Sequence, residues 1–315
     1  MSGSAASAGR VTGALREAAG DIKVAHSVFA MPFAVLGAFL AWGRFAGPSS
    51  SAAPETWGHI GGQLALVVAC MVLARTWAML VNRLADAGFD ASNPRTAKRA
   101  VAAGRLSPRA GWAIALSCAG VFVLAAAGFW AWFANPWPVI LSVPVLGWLA
   151  LYSYAKRFTW LCHVLLGTAL AISPLAAALA VRPGALGEVT ALYALAGMVV
   201  LWVAGFDVIY ALQDTAFDRS RGLYSIPSRL GVGPAMWLSR AMHAGAWVCL
   251  LLAWKFDPRF GAAFGAAVVL VAGLLIFEHA HLARRGEAGL EMAFFTINGI
   301  VSCVVGALGV ADVVW

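Results

Sequence analysis

Long apolar runs alternate with short polar breaks from about residue 24 to the C-terminus. A run of about 20 predominantly apolar residues is long enough for a helix to cross a bilayer. Nine such runs fall at roughly 24–43, 60–81, 111–133, 137–154, 160–181, 190–212, 234–254, 261–282 and 292–313. Hydrocarbon offers no water to backbone amides, so each run predicts a helix that satisfies its own N–H and C=O groups. The pattern predicts an all-α integral membrane protein, a bundle of nine transmembrane helices. The first run carries His26 and Pro32, and the fourth opens on Asn135-Pro136-Trp137-Pro138, a turn suited to an interface. The Ser/Ala/Gly-rich start predicts a disordered N-terminal tail over 1–20, followed by a single domain over 21–315.

Composition strengthens this reading. The chain is 62% hydrophobic and 11% charged, whereas a soluble domain carries about 25% charged residues. Its 22 Lys and Arg residues are unevenly placed. With the N-terminus in the cytoplasm, sixteen of them fall on that side, among them Arg10, Lys23, Arg83 and Arg229. Four (Arg44, Arg182, Lys255, Arg259) fall on the other, and Arg75 and Arg240 lie inside spans. This positive-inside bias sets the orientation. The net charge of +8 is thus a signal of topology, and a nucleic-acid partner, which needs a soluble basic face, is excluded. The first apolar run starts too late for a secretory leader. Five cysteines stand singly in apolar spans, as buried free thiols do.

The remaining charges carry the candidate chemistry. Asn82, Asp86 and Asp90 step by four and rise along one helix face, with Arg75 deeper on the same face. Pro94 ends that helix near Asn93. Asp207, Asp214 and Asp218, spaced seven and four, align on a second helix with Tyr210 close by. Two helices thus present stacked carboxylates at the cytoplasmic level, a nest of negative charge that must be paired near lipid. Hard oxygen ligands without sulfur or clustered imidazole suit Mg²⁺, which bridges carboxylates to substrate phosphates. Lys156, Arg157 and Arg95 can hold diphosphate oxygens, as can others in the two acidic loops (Lys98, Arg219, Arg221, Arg229). For Arg99, Arg105, Arg109, Arg284 and Arg285 the topological role suffices.

Other signals are weaker. His279 and His281, two apart, point to different helix faces and make no metal pair. Gly231-Val-Gly233 lacks a preceding strand and a third glycine, so it is no dinucleotide fingerprint. Trp57, Trp137, Trp254 and Trp315 fall near span ends as interfacial anchors. A transporter with an intramembrane acidic ion site is the main alternative. It would place polar residues near the midplane, on broken helices. A CDP-alcohol type phosphotransferase would need an Asp-Gly-x-x-Ala-Arg element, which Asp90-Ala-Ser does not supply.

Read together, Asn82-Arg-x-x-Asp86-x-x-x-Asp90-x-x-Asn93-Pro94-Arg95-Thr96 and Asp207-x-x-Tyr210-x-x-Gln213-Asp214-x-x-x-Asp218 resemble the UbiA superfamily of intramembrane aromatic prenyltransferases. Tyr152-x-x-x-Lys156-Arg157-Phe158-Thr159 resembles its third motif, and Gly222 to Gly231 the stretch after its second acidic motif. The resemblance implies a nine-helix fold in a bacterial cytoplasmic membrane, with the active site at the cytoplasmic side. It implies Mg²⁺-dependent transfer of a polyprenyl group from polyprenyl diphosphate to an aromatic hydroxy acid, in ubiquinone or menaquinone biosynthesis. Asn82, Asp86, Asp90, Asp214 and Asp218 would hold Mg²⁺ and diphosphate. Tyr152, Lys156, Arg157 and Arg95 would contact the substrate, and Asp207 and Tyr210 would lie where ring and cation meet. Arg75 would face an anionic group on the acceptor. The opening Ile22-Lys23-Val-Ala-His26 to Phe33 differs from the Arg-x-x-[Lys/Arg]-Pro-x-Gly start of ubiquinone-pathway members. It resembles the futalosine-pathway menaquinone branch, so the acceptor is either 4-hydroxybenzoate or a dihydroxynaphthoate. Prenyl chain length and oligomeric state have no mark in the sequence.

Overall fold

In the computed structural model, residues 13–14, 16–20, 29–42 and 56–315 are described, and among them there are helices and no strands. The main helices are α1 (Met31–Ala41), α2 (Trp57–Ala85), α3 (Pro108–Phe133), α4 (Trp137–Tyr152) and α5 (Cys162–Val181). They continue as α6 (Ala191–Ala211), α7 (Val232–Phe256), α8 (Ala262–Arg285) and α9 (Asn298–Val314). Seven stretches among the described residues are long and apolar enough to span a membrane. They are α2, α3, α5, α6 extended to Ser220, α7, α8, and α9 with its preceding π-turn. The first and fourth expected spans are represented by shorter apolar helices, α1 and α4. Arg10, Lys23, His26 and Arg44 lie outside the described residues. The stretch expected as a tail holds a helical segment at 16–20, where Ala18 is buried against Leu80 and Leu106.

The packing follows from side-chain size. In α6, 67% of the apolar window is inside the protein, the highest share of any candidate span, so α6 is the bundle's axis. Helices α5 and α7 flank it, α1 packs on α5, and α8 and α9 pair before α9 returns to α1. Helices α2, α3 and α4 form a second group joined through α4 and α5. Small residues in α5 allow this closeness: a Cβ on Gly167 would lie 2.3 Å from the Val200 carbonyl oxygen of α6. Membrane helices approach closely where residues are small, because lipid supplies no hydrophobic drive between them. Gly167→Ala is therefore expected to force the central pair apart and destabilise the bundle by about 1–3 kcal/mol. Thermal unfolding in detergent measures this, and an unchanged midpoint would contradict it.

At the end of the bundle remote from the acidic motifs, two arginines satisfy the last carbonyls of α1. Arg182 Nε donates to the Ala41 carbonyl at 2.9 Å, and Arg259 Nη1 to that of Leu40 at 3.0 Å. Asp312 accepts the Gly261 and Phe264 amides at 2.7 Å and so caps α8. These cations and acids on the remote end are structural.

Candidate active site

Helix α2 does not run unbroken to Asn93. It ends at Ala85, Asp86 leaves helical geometry (φ −92°, ψ 6°), and a short helix Ala87–Ser92 follows. Asn93 is extended before Pro94 (φ −101°, ψ 116°), as a pre-proline residue prefers. The ladder survives the kink: the Asp86 amide donates to Asn82 at 3.0 Å and the Asp90 amide to Asp86 at 2.8 Å. On the second motif, α6 gives way to a 3₁₀ turn at Leu212–Asp214 and a short helix Thr215–Ser220. The tighter turn rotates Asp214 and Asp218 relative to a straight helix, yet both still reach the same cavity.

That cavity, of about 240 Å³, is lined by every candidate site residue: Arg75, Asn82, Asp86, Asp90, Arg95, Tyr152, Lys156, Arg157, Asp207, Tyr210, Asp214 and Asp218. It adjoins an apolar cavity of about 410 Å³ bounded by α2, α3, α4 and α5. Arg75, Met79, Asn82, Tyr152, Leu166 and Leu170 line both. A polar, charged cavity thus opens beside an apolar one.

The acids are not a bare nest of negative charge. Each has its own cation, as carboxylates placed near lipid require. Arg99 Nη1 reaches both Asp90 oxygens at 2.7 and 2.8 Å, and Arg95 forks onto Asp214, with Nε at 3.0 Å and Nη2 on the second oxygen. Lys156 Nζ lies 3.9 Å from Asp218 and Arg157 Nη2 3.5 Å from Asp86. The short distances follow from chemistry, since buried carboxylates tolerate neither solvent loss nor isolation. Arg99, assigned above to topology alone, is therefore part of the site. Arg219 and Arg229 are not: the first donates to the Ser228 carbonyl at 2.8 Å and the second lies 4.0 Å over the Tyr224 ring. Asn93 links the two motifs, donating from Nδ2 to Asp214 at 3.0 Å.

Protonation follows the same balance. Burial raises the Asp86 carboxyl above its usual range, and the neighbouring Asp90 charge adds to this, against partial relief from Lys156 and Arg157. Burial likewise raises Asp218, against relief from Lys156, so both acids would gain from another cation. For Lys156, burial favours loss of the proton, but the charge of Asp218 foremost, with Asp207 and Asp214 beyond it, outweighs this and raises the ammonium. Arg95 is likewise raised despite burial, through its bonds to Asp214.

The residues fit a Mg²⁺–diphosphate site on two observations. Asp218 Oδ2 is buried without a hydrogen-bond partner, and the oxygen donors come from two facing motifs. No group of three or more His, Cys, Asp and Glu among the described residues is gathered tightly enough to hold a metal alone. Mg²⁺ takes one or two carboxylates and fills its shell with water and substrate phosphate, so the protein need not supply a cage.

Sequence reasoning missed the aromatic wall. Phe29, Phe206 and Phe294 line the polar cavity with ring centroids 5.3–5.8 Å apart, and Phe294 lies 4.2 Å from the Tyr210 ring. Their faces can stabilise a cation, but apolar aromatics within spans carry no distinguishing signal. His163 was also missed; its ring lies 2.7 Å from Asp207. His279 and His281 do diverge, the first meeting His243 at 3.1 Å and the second lying against Phe277. All five cysteines are free, but only Cys162 is buried as expected; Cys70, Cys118 and Cys249 are half-buried and Cys303 is exposed on α9.

The profile of the UbiA prenyltransferase family matches residues 29–300. The chain belongs to the UbiA prenyltransferase family. A 4-hydroxybenzoate octaprenyltransferase of Saccharophagus degradans is 30% identical over 77% of this chain and 77% of its own length. Among solved structures, an apo UbiA homolog from Aeropyrum pernix K1 is 31% identical with a TM-score of 0.77, covering 92% of this chain and 98% of that one. A UbiA homolog from Archaeoglobus fulgidus, solved bound to DMAPP and Mg²⁺, has a TM-score of 0.65 at 15% identity over 93% of this chain and 97% of that one, a likeness of fold. This UbiA-family chain is an integral membrane prenyltransferase, and the transporter reading is set aside.

Proposed function

We propose that this prenyltransferase moves a polyprenyl group from polyprenyl diphosphate to an aromatic hydroxy acid, with Mg²⁺ as cofactor. The enzyme would sit in a bacterial cytoplasmic membrane as a nine-span bundle, N-terminus and acidic motifs on the cytoplasmic side. The observation carrying the reading is the acid- and cation-lined cavity that adjoins an apolar one at Arg75, Asn82 and Tyr152. Asn82, Asp86, Asp90, Asp214 and Asp218 would hold Mg²⁺, which supplies charge neutralisation of the departing diphosphate when bound. Lys156, Arg157, Arg95 and Arg99 then turn from the carboxylates toward diphosphate oxygens and steady the leaving group. Phe29, Phe206 and Phe294 face the allylic cation and keep water from it. Tyr152 bounds the passage between head and tail, and Tyr210 abuts the reacting carbons. Asp207 takes the proton that the ring loses.

The acceptor reading rests on the relatives' names, which favour 4-hydroxybenzoate. The opening motif favours a dihydroxynaphthoate instead. Both carry a carboxylate, for which Arg75 is the partner: its Nε is buried without a hydrogen bond, and an orphan buried donor calls for a ligand. A charged hydrogen bond contributes about 1.5–3 kcal/mol, or roughly 10- to 100-fold in affinity. Arg75→Leu should raise the acceptor KM by that factor and leave the prenyl diphosphate KM unchanged. Assaying both acceptors with purified protein tests the function. Transfer to neither, with Mg²⁺ present, would overturn it.

A further inference from the structure

We propose that His163 is a positioning residue: it holds Asp207 by one carboxylate oxygen so that the other meets the acceptor ring. This rests on the reading of Asp207 as proton acceptor above. His163 is fully buried at the start of α5. Its Nδ1 lies 2.7 Å from Asp207 Oδ2, and its Nε2 accepts the Ile226 amide at 3.2 Å. A ring nitrogen that accepts an N–H must carry a lone pair, so the proton resides on Nδ1 and is donated to Asp207. The tautomer is thereby fixed by a backbone amide.

That amide is itself held in place. Ile226 opens a short helix whose Ser225 and Ser228 bond reciprocally as a capping box, with the Ser225 amide donating to Ser228 Oγ at 2.8 Å. The Tyr224 amide donates to the Lys156 carbonyl at 2.7 Å. One imidazole therefore ties α5, α6 and the loop after the second acidic motif to a single carboxylate. Asp207 lines the cavity, and no donor among the described residues reaches Oδ1 within hydrogen-bonding distance. Oδ1 is the oxygen available to the substrate.

The allylic C–O bond breaks and its electron pair leaves with diphosphate. A π pair of the ring forms the new C–C bond to the allylic cation. The ring C–H pair then restores aromaticity, and the proton passes to Asp207 Oδ1, from which solvent removes it. His163 neither gains nor loses a proton, because Ile226 occupies its only lone pair. It acts through Asp207 and touches no substrate.

Partners that orient a reacting group are typically worth 10- to 100-fold. His163→Leu should lower kcat by about that factor, with the prenyl diphosphate KM within about twofold of wild type. A ring-deuterated acceptor should show an isotope effect on kcat in this variant that wild type lacks, because a misplaced base makes proton removal slow. His163→Gln, whose amide offers one donor and one acceptor, should restore most of kcat and abolish the isotope effect. Independently of turnover, ¹⁵N-histidine NMR of the apo protein, assigned by the Gln variant, should report a neutral His163 protonated at Nδ1. An Nε2–H tautomer, an imidazolium, or an unchanged isotope effect in His163→Leu would overturn the proposal. A wild type inert toward both acceptors would instead overturn the functional reading, and the NMR result would still stand on its own.

Discussion

Asp86→Asn is expected to lower prenyl transfer on the order of a thousand-fold while leaving the thermal midpoint close to wild type. The size follows from the several kcal/mol that a metal supplies to a developing anion, at 1.36 kcal/mol per tenfold. The separation from folding follows from the surroundings of Asp86. It is the most accessible of the four motif acids, its cation partner is 3.5 Å away, and burial already holds its carboxyl above the usual range. The fold gains little from its charge. Turnover of detergent-purified variant, alongside its thermal midpoint, checks both halves. A fully active variant would contradict the proposed role of Asp86 in holding Mg²⁺.

Asp214→Asn should behave differently, and the contrast is the second expected result. Asp214 is buried and accepts from Arg95 on both oxygens and from Asn93. Removing one member of a buried pair strands the other charge, at a cost of about 3–5 kcal/mol. This variant should lose both activity and stability. Adding Arg95→Met should restore much of the stability, because no charge is then stranded, and none of the activity. Thermal unfolding of the two singles and the double measures the coupling. Strictly additive losses would show that Arg95 and Asp214 are not a pair in the protein.

These contrasts separate what the sequence reveals from what only folding reveals. The spacing of Asp86 from Asp90 and of Asp214 from Asp218 places four acids at two helix ends, because 3.6 residues per turn leaves few alternatives. It does not reveal that the first helix breaks at Asp86 or that the second tightens into a 3₁₀ turn. Those local departures depend on what each carboxylate finds to bond. Arg99 illustrates the loss: nine residues from Asp90 and after Pro94, its approach depends on how the loop folds back. His163 is harder still, since its partners Asp207 and Ile226 lie 44 and 63 residues away. Apolar aromatics such as Phe29 and Phe294 are indistinguishable in sequence from lipid-facing ones. Long spans such as α2 and α6 are legible because lipid forces the backbone to close its own bonds. The shorter α4 is less legible, as its start depends on the turn at Asn135-Pro136.

The cation pairs also bear on how the site works. Arg95, Arg99, Lys156 and Arg157 occupy the carboxylates that the metal and diphosphate would claim. Binding is then an exchange: a Mg²⁺–diphosphate unit brings a cation for the acids and an anion for the bases at once. Neither component alone satisfies both sets, since free diphosphate meets carboxylates and free Mg²⁺ meets arginines. The two acidic motifs and their cations would thus form one site for the pair. Calorimetric titration of a non-reactive prenyl thiolodiphosphate into the purified protein tests it most directly. The expected result is saturable binding in Mg²⁺ that disappears in EDTA, and equal affinity under both conditions would contradict it.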